Sequence, residues 1–128
     1  MLKNCFCVGV GGFLGAISRY LLTLALPSNT NPTLFPYETL LVNLSGCFAL
    51  GFLLSLSLKI LKLHPNIKLG LTTGFIGSLT TFSTLEIELL QSIQQGLLIP
   101  ALVYISLSLG LSYGISYLGI KLGEGVTA

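Results

Sequence analysis

The chain has 128 residues, 52% hydrophobic and only 8% charged, with a formal net charge of +2 and a mean hydropathy of +0.90. A soluble domain carries about 25% charged residues, so this chain cannot cover a water-facing surface, and a soluble enzyme is excluded. The basic residues are scattered, with no Lys/Arg cluster interleaved with aromatics, which argues against a nucleic-acid partner.

A bilayer crossing takes about 20 residues, so the length fits a single domain, 1–128, of four apolar spans with short connections. The first span reads from Asn4 to Leu26. Lys3 ahead of an apolar run is how a signal peptide begins, but Arg19 interrupts the run and no small-x-small cleavage site follows, so the segment reads as a retained span. Pro27, Ser28, Asn29, Asn31, Pro32 and Pro36 disfavour helix and form the first connection. The second span covers Tyr37 to Leu58, and the polar patch Lys59, Lys62, His64, Pro65, Asn66 and Lys68 reads as a loop. The third runs from Leu69 to Ile93, with Gly74, Gly77, Ser78, Thr80, Thr81, Ser83 and Thr84 crowded into its middle, a composition able to break a helix. Gln91, Gln94, Gln95 and Gly96 mark the next connection. The fourth span covers Leu98 to Leu122 and is expected to bend or pack closely near Pro100, Gly110 and Gly114.

Gly11 with Gly15 and Gly110 with Gly114 repeat at four-residue spacing, which in lipid marks faces where helix backbones approach. Cys5, Cys7 and Cys47 lie in apolar segments with no His or carboxylate set beside them, against both a zinc site and a disulfide framework.

Polar groups at bilayer depth cost free energy unless satisfied, so they are where function is sought. Asn43 lies in the second span, and its amide can either bond a neighbouring helix or meet a ligand. Tyr104, Ser108, Ser112 and Ser116 follow at intervals of four along the last span and form one stripe of neutral hydroxyls. Donors without fixed charge suit a small anion better than a proton relay. In the broken region freed carbonyls favour a cation such as Na⁺, whereas freed amides and the hydroxyls of Ser83 and Thr84 favour an anion. The ring edge of Phe82 can face an anion or simply pack. Arg19 either snorkels to the interface or pairs internally and draws anions to a vestibule. Glu86 and Glu88 cannot share one helical face; the first reads as solvent-facing, the second as a vestibule residue or a partner for Arg.

The segments GGFLGAISRY at Gly11 to Tyr20, VNLSG at Val42 to Gly46 and GFIGSLTTFST at Gly74 to Thr84 resemble, in order and spacing, the motifs of the Fluc/CrcB family of fluoride ion channels. The resemblance covers essentially the whole chain. It implies an all-α membrane protein of four helices, the third broken, assembled as an antiparallel dimer with two narrow fluoride pores. It also implies a structural sodium ion at the dimer centre, held by the backbone carbonyls of Gly77 and Thr80. Asn43 would donate to fluoride, Phe82 would supply a pore-facing ring, and the family's polar track would fall on Tyr104, Ser108 and Ser112. Arg19 and Glu88 match the family's charged positions. Selectivity for so small and strongly hydrated an anion is expected from a narrow path whose donors replace water.

The chain departs from the family pattern at Leu85, where a second Phe is usual, and at Ser78 and Leu79, which replace a commoner Gly and Phe or Leu pair. Its charges are also sorted: with four spans, Lys3, Lys59, Lys62, Lys68 and Lys121 all fall on the side of both termini. Lys/Arg excess sets orientation, so both termini are expected to be cytoplasmic in a multi-pass cell-membrane protein surrounded by lipid. An antiparallel homodimer needs insertion both ways, so this bias favours a heterodimer with an oppositely oriented paralogue over pairing with itself, one pore being degenerate at Leu85. A multidrug exporter of similar size needs a carboxylate in its first span, and Asn4 to Leu26 has none. A small four-helix membrane assembly without fluoride conduction is the other alternative.

Overall fold

The structure, a computed structural model, describes residues 1–26, 35–59 and 63–126, the side chains of 57–59 aside. Among these residues the regular elements are all helical. The expected connection at Pro27, Ser28, Asn29, Asn31 and Pro32, and Lys62, lie outside them.

Helix α1, Leu2–Ala25, is long and mostly apolar, and its buried residues are both glycines, Gly11 and Gly15. With Phe6, Phe13, Leu21 and Leu24 exposed on its surface, it has the length and composition of a membrane span. Helices α2, Tyr37–Lys59, and α6, Leu98–Gly125, pack on each other more extensively than any other pair. By length and composition α1, the Tyr37–Leu56 stretch of α2 and α6 can each cross a bilayer. The protein is thus a multi-pass membrane protein whose apolar outer surface needs lipid or protein against it.

Between α2 and α6 the chain is shorter-stepped. Helix α3, Pro65–Leu69, opens where the sequence led us to expect a loop. Its start is set by Pro65 in the first turn and by His64, whose Nδ1 accepts the Asn66 N–H; Pro lacks an N–H that would be orphaned there anyway. The helix then widens into a π-helical segment, Gly70–Ile76, and closes as α4, Gly77–Leu79. Thr72 and Thr80 each return their hydroxyl to the carbonyl four residues back, Lys68 and Ile76, a bond that bends helices. The backbone leaves the helix at Thr80, with ψ 153°, and resumes helix as α5, Ser83–Gln94.

The remaining boundaries also shift. Gln91 and Gln94 are helical, and the chain turns instead at Gly96, whose φ of +78° is a left-handed conformation that glycine adopts without a Cβ clash. Helix α6 is continuous past Pro100, which sits in the first turn and removes no interior bond.

The close approaches explain the architecture. A Cβ on Gly11 would overlap the carbonyl oxygen of Gly70, and one on Gly15 that of Phe75. The expected α1 packing face is therefore real, and it docks on the π-helical segment. Gly110 and Gly114, expected to do the same on α6, have nothing within 4 Å of a built Cβ. The contact with α2 is made one and a half turns on, where Cβ atoms at Gly119 and Gly123 would meet Phe48 O at 2.5 Å and Ser55 Cβ at 2.7 Å. A small core of Leu40, Leu44, Leu85 and Tyr104 ties α2, α5 and α6 together, flanked by Phe35, Leu89 and Ile115.

Candidate functional site

Where α4 ends, the side chain of Asn43 on α2 stands in for the missing helix partner. Its Nδ2 donates to Thr81 O at 2.9 Å and its Oδ1 accepts from Thr81 N–H at 2.7 Å. An amide matched to a peptide in this way satisfies both polar groups of a half-buried residue that has left the helical ladder. The second N–H on Asn43 Nδ2 is a further donor.

Beside this clasp lies a cavity of about 440 Å³. Its wall brings together Asn43, Gly77, Thr80, Phe82, Ser108 and Ser112, contributed by α2, the break and α6. Cys47 and Leu85 are also part of it. Ser108 is 6% exposed, and its Oγ has no hydrogen-bond partner among the described residues. A buried hydroxyl without a partner is costly, and here it borders the cavity. Phe82 is 65% exposed, so its ring stands at the open edge.

The other expected residues sit elsewhere. Ser83 and Thr84 are exposed at the start of α5, where both hydroxyls contact Thr81 Oγ1, at 3.3 and 3.0 Å. Tyr104 is 1% exposed and turns away from Ser108 toward Glu88, donating to its Oε2 at 2.6 Å. Thr39 Oγ1 donates to Oε1 of the same carboxylate, also at 2.6 Å. Glu88 thereby joins α2, α5 and α6 through two short hydroxyl bonds. Phe35 packs edge-on against the Tyr104 ring, centroids 5.3 Å apart. Ser116, at the far end of the stripe, donates to Cys47 O at 3.3 Å.

Arg19 is partly exposed late in α1, its carbonyl accepting from Thr23 Oγ1 at 3.0 Å. It is not ion-paired to Glu88; the ion pair found among the described residues is Lys121 with Glu124, 3.1 Å apart. Glu86 is exposed. Among the described residues there is no cluster of three His, Cys, Asp or Glu side chains able to hold a metal. Oxygen atoms at the break come from backbone carbonyls and from the hydroxyls of Thr80, Thr81, Ser83 and Thr84.

Two residues that shape the site were not among its expected members, although Thr81 stood within the crowded polar stretch. Thr39 lies one helical turn before Asn43, and that i, i+4 spacing was the available signal. Thr81 acts through its backbone, which no side-chain pattern discloses.

Comparison with known proteins gives one family and a consistent set of relatives. The family model described as CrcB-like protein, Camphor Resistance (CrcB), matches residues 6–120. The chain is 41% identical over 118 residues to Fluoride-specific ion channel FluC 1 of Staphylococcus aureus strain NCTC 8325 / PS 47, covering 92% of this chain and 94% of that protein. It is 43% identical over 109 residues to Fluoride-specific ion channel FluC of Chlorobaculum tepidum, covering 85% of each. With FluC 1 of Moorella thermoacetica the identity is 43% over 102 residues, 80% of this chain and 72% of the relative.

Proposed function

This chain belongs to the CrcB family, and from that membership we propose that it is a subunit of a fluoride-selective channel through which fluoride leaves the cell passively. It is not an enzyme. The observation that carries the reading is the cavity where Asn43, the helix break and Ser108 converge, with the Ser108 hydroxyl buried and unpartnered. Hydroxyl and amide donors on an apolar wall replace the hydration of a small anion without a fixed charge to trap it. Phe82 offers its ring edge at the mouth, Ser112 extends the donor line along α6, and Ser83 and Thr84 add hydroxyls outside it. The Tyr104–Glu88–Thr39 group stands at the end of that line, and Arg19 supplies positive potential at the vestibule.

We further propose that the α3-to-α4 and α5 segments together make one interrupted crossing, the fourth of the single domain, and that two subunits pair antiparallel. The outward apolar faces of α1 and α6, and the exposed Phe82, support a partner subunit. A sodium ion at the dimer centre fits the residues present. Thr81 N–H is drawn to Asn43, so it does not cap the Gly77 carbonyl, and Thr80 turns its own carbonyl out of the helical direction. Oxygen donors of this kind suit a hard cation. Gly77 and Thr80 would hold the ion, and its charge would fix the break in place.

Lys3, Lys59, Lys62, Lys68 and Lys121 on one side favour cytoplasmic termini and a heterodimer with an oppositely oriented paralogue. Leu85 takes the position of a ring and makes one pore the poorer conductor. The test is fluoride efflux from liposomes. Efflux of fluoride without chloride, from the chain alone or with its paralogue, is expected; no efflux under either condition overturns the channel reading. Tagged termini found equally on both sides of the membrane would overturn the heterodimer.

A further inference from the structure

A second hollow lies between α1 and the α3–π-helical run, lined by residues other than those of the Asn43 cavity. Because Gly11 and Gly70 meet backbone to backbone, the flanking side chains splay and leave a groove beside the crossing. Its inner part, about 250 Å³, is walled by Val10, Leu14, Leu71 and Phe75. Through Phe6, Cys7 and Ile67, which line both, it continues into an outer part of about 670 Å³. The outer part alone is polar-edged, by Lys3, His64 and Asn66.

The polar edge holds two donors, Lys3 and His64, beside Asn66, whose amide offers both a donor and an acceptor. Lys3 carries three N–H groups and accepts nothing. His64 Nδ1 accepts from the Asn66 backbone N–H, which in neutral imidazole assigns the remaining proton to Nε2 and leaves it a donor. A groove apolar along the helix and donor-rich at one end complements a molecule with an apolar tail and an anionic head. A second antiparallel copy does not match it, since on the four-span reading the connections at that end, Pro27 to Pro36 and Gln94 to Gly96, contain no charge.

We propose that this groove seats one anionic phospholipid, its acyl chain along Val10 and Phe75 and its phosphate against Lys3 and His64. The proposal rests on the membrane-spanning reading but not on fluoride conduction. A lysine at a membrane surface favours anionic lipid about fivefold, and the groove edge supplies one, Lys3.

The test is native mass spectrometry of the intact protein, extracted from vesicles holding equal phosphatidylglycerol and phosphatidylcholine. The wild-type protein is expected to retain phosphatidylglycerol preferentially, with excess inorganic phosphate failing to displace it. Lys3→Gln combined with His64→Gln should lower that retention about fivefold or more and leave phosphatidylcholine unchanged. Val10→Trp, which fills the groove and keeps both donors, should lower it as well. Equal retention of the two lipids, or unaltered retention in both variants, overturns the proposal. So does a Val10→Trp protein that separates into single subunits, which would seat a second copy in the groove. Fluoride efflux from the same vesicles reads the channel separately, so retained lipid without efflux counts against conduction alone.

Discussion

Asn43 and Thr81 exchange two hydrogen bonds, side-chain amide to backbone amide, across the point where α4 stops. The residue proposed to meet the ion is therefore also bonded to the backbone at the break. Asn43→Leu removes both bonds and strands the N–H and C=O of Thr81, at about 1–3 kcal/mol for each group left unsatisfied. Fluoride efflux is expected to disappear and thermal stability in detergent to fall. Asn43→Asp keeps an acceptor for Thr81 N–H but loses the donor, so it should be the less destabilised of the two and equally silent in flux. Unchanged efflux in either variant would remove the amide from the path.

Ser108 predicts the opposite division. Its hydroxyl has no partner to lose, and replacing a buried unsatisfied polar atom by an apolar one is neutral or stabilising. Ser108→Ala should keep or raise the melting temperature while lowering fluoride efflux about tenfold, the value of a ~1.4 kcal/mol donor contact. Loss of stability with full efflux would make Ser108 a packing residue.

Glu88 receives hydroxyls from Thr39 and Tyr104. Tyr104→Phe strands one carboxylate oxygen at about 1–3 kcal/mol, whereas Glu88→Gln weakens both contacts. Because the two residues share one bond, their effects on unfolding should be non-additive by about 0.5–3 kcal/mol. Additivity in that cycle would show that the bond contributes nothing to the junction of α5 and α6.

Gly15 and Gly110 separate two uses of the same spacing. Gly15→Ala places a methyl on the Phe75 carbonyl and should destabilise the subunit by about 1–3 kcal/mol through overpacking. Gly110→Ala meets open space and should leave the fold of the subunit intact. Equal loss of stability in the two would contradict the packing described for α6.

The long apolar runs made α1, α2 and α6 legible from sequence, and hydroxyl and glycine crowding marked the stretch from Gly74 to Thr84, within which the backbone leaves the helix at Thr80. The stripe on α6 was only partly legible. A step of four residues overshoots one helical turn by about 40°, so three steps rotate Ser116 by about 120° from Tyr104. The ends of the stripe accordingly face Cys47 and Glu88, and Ser108 and Ser112 alone line the cavity. Spacing likewise identified Gly110 and Gly114 as a pair without revealing which face of α6 turns toward α2. The helical turn at Pro65 was missed because polar composition outweighed the His64 and Pro65 start signal.

Helix α6 has 28 residues, about 42 Å at 1.5 Å per residue, against a hydrocarbon core of about 30 Å. The excess is absorbed by leaning the helix, by carrying its end into the headgroups, or by thickening the surrounding leaflet. The Lys121–Glu124 pair places the C-terminal turns at the water-facing level, which leaves inclination to accommodate the remainder. Ser108 and Ser112 ride on this helix, so their depth and aim follow its angle. That angle is shared with α2, on which α6 packs, so a change in membrane thickness would reach the hydroxyl groups only by moving the two helices together.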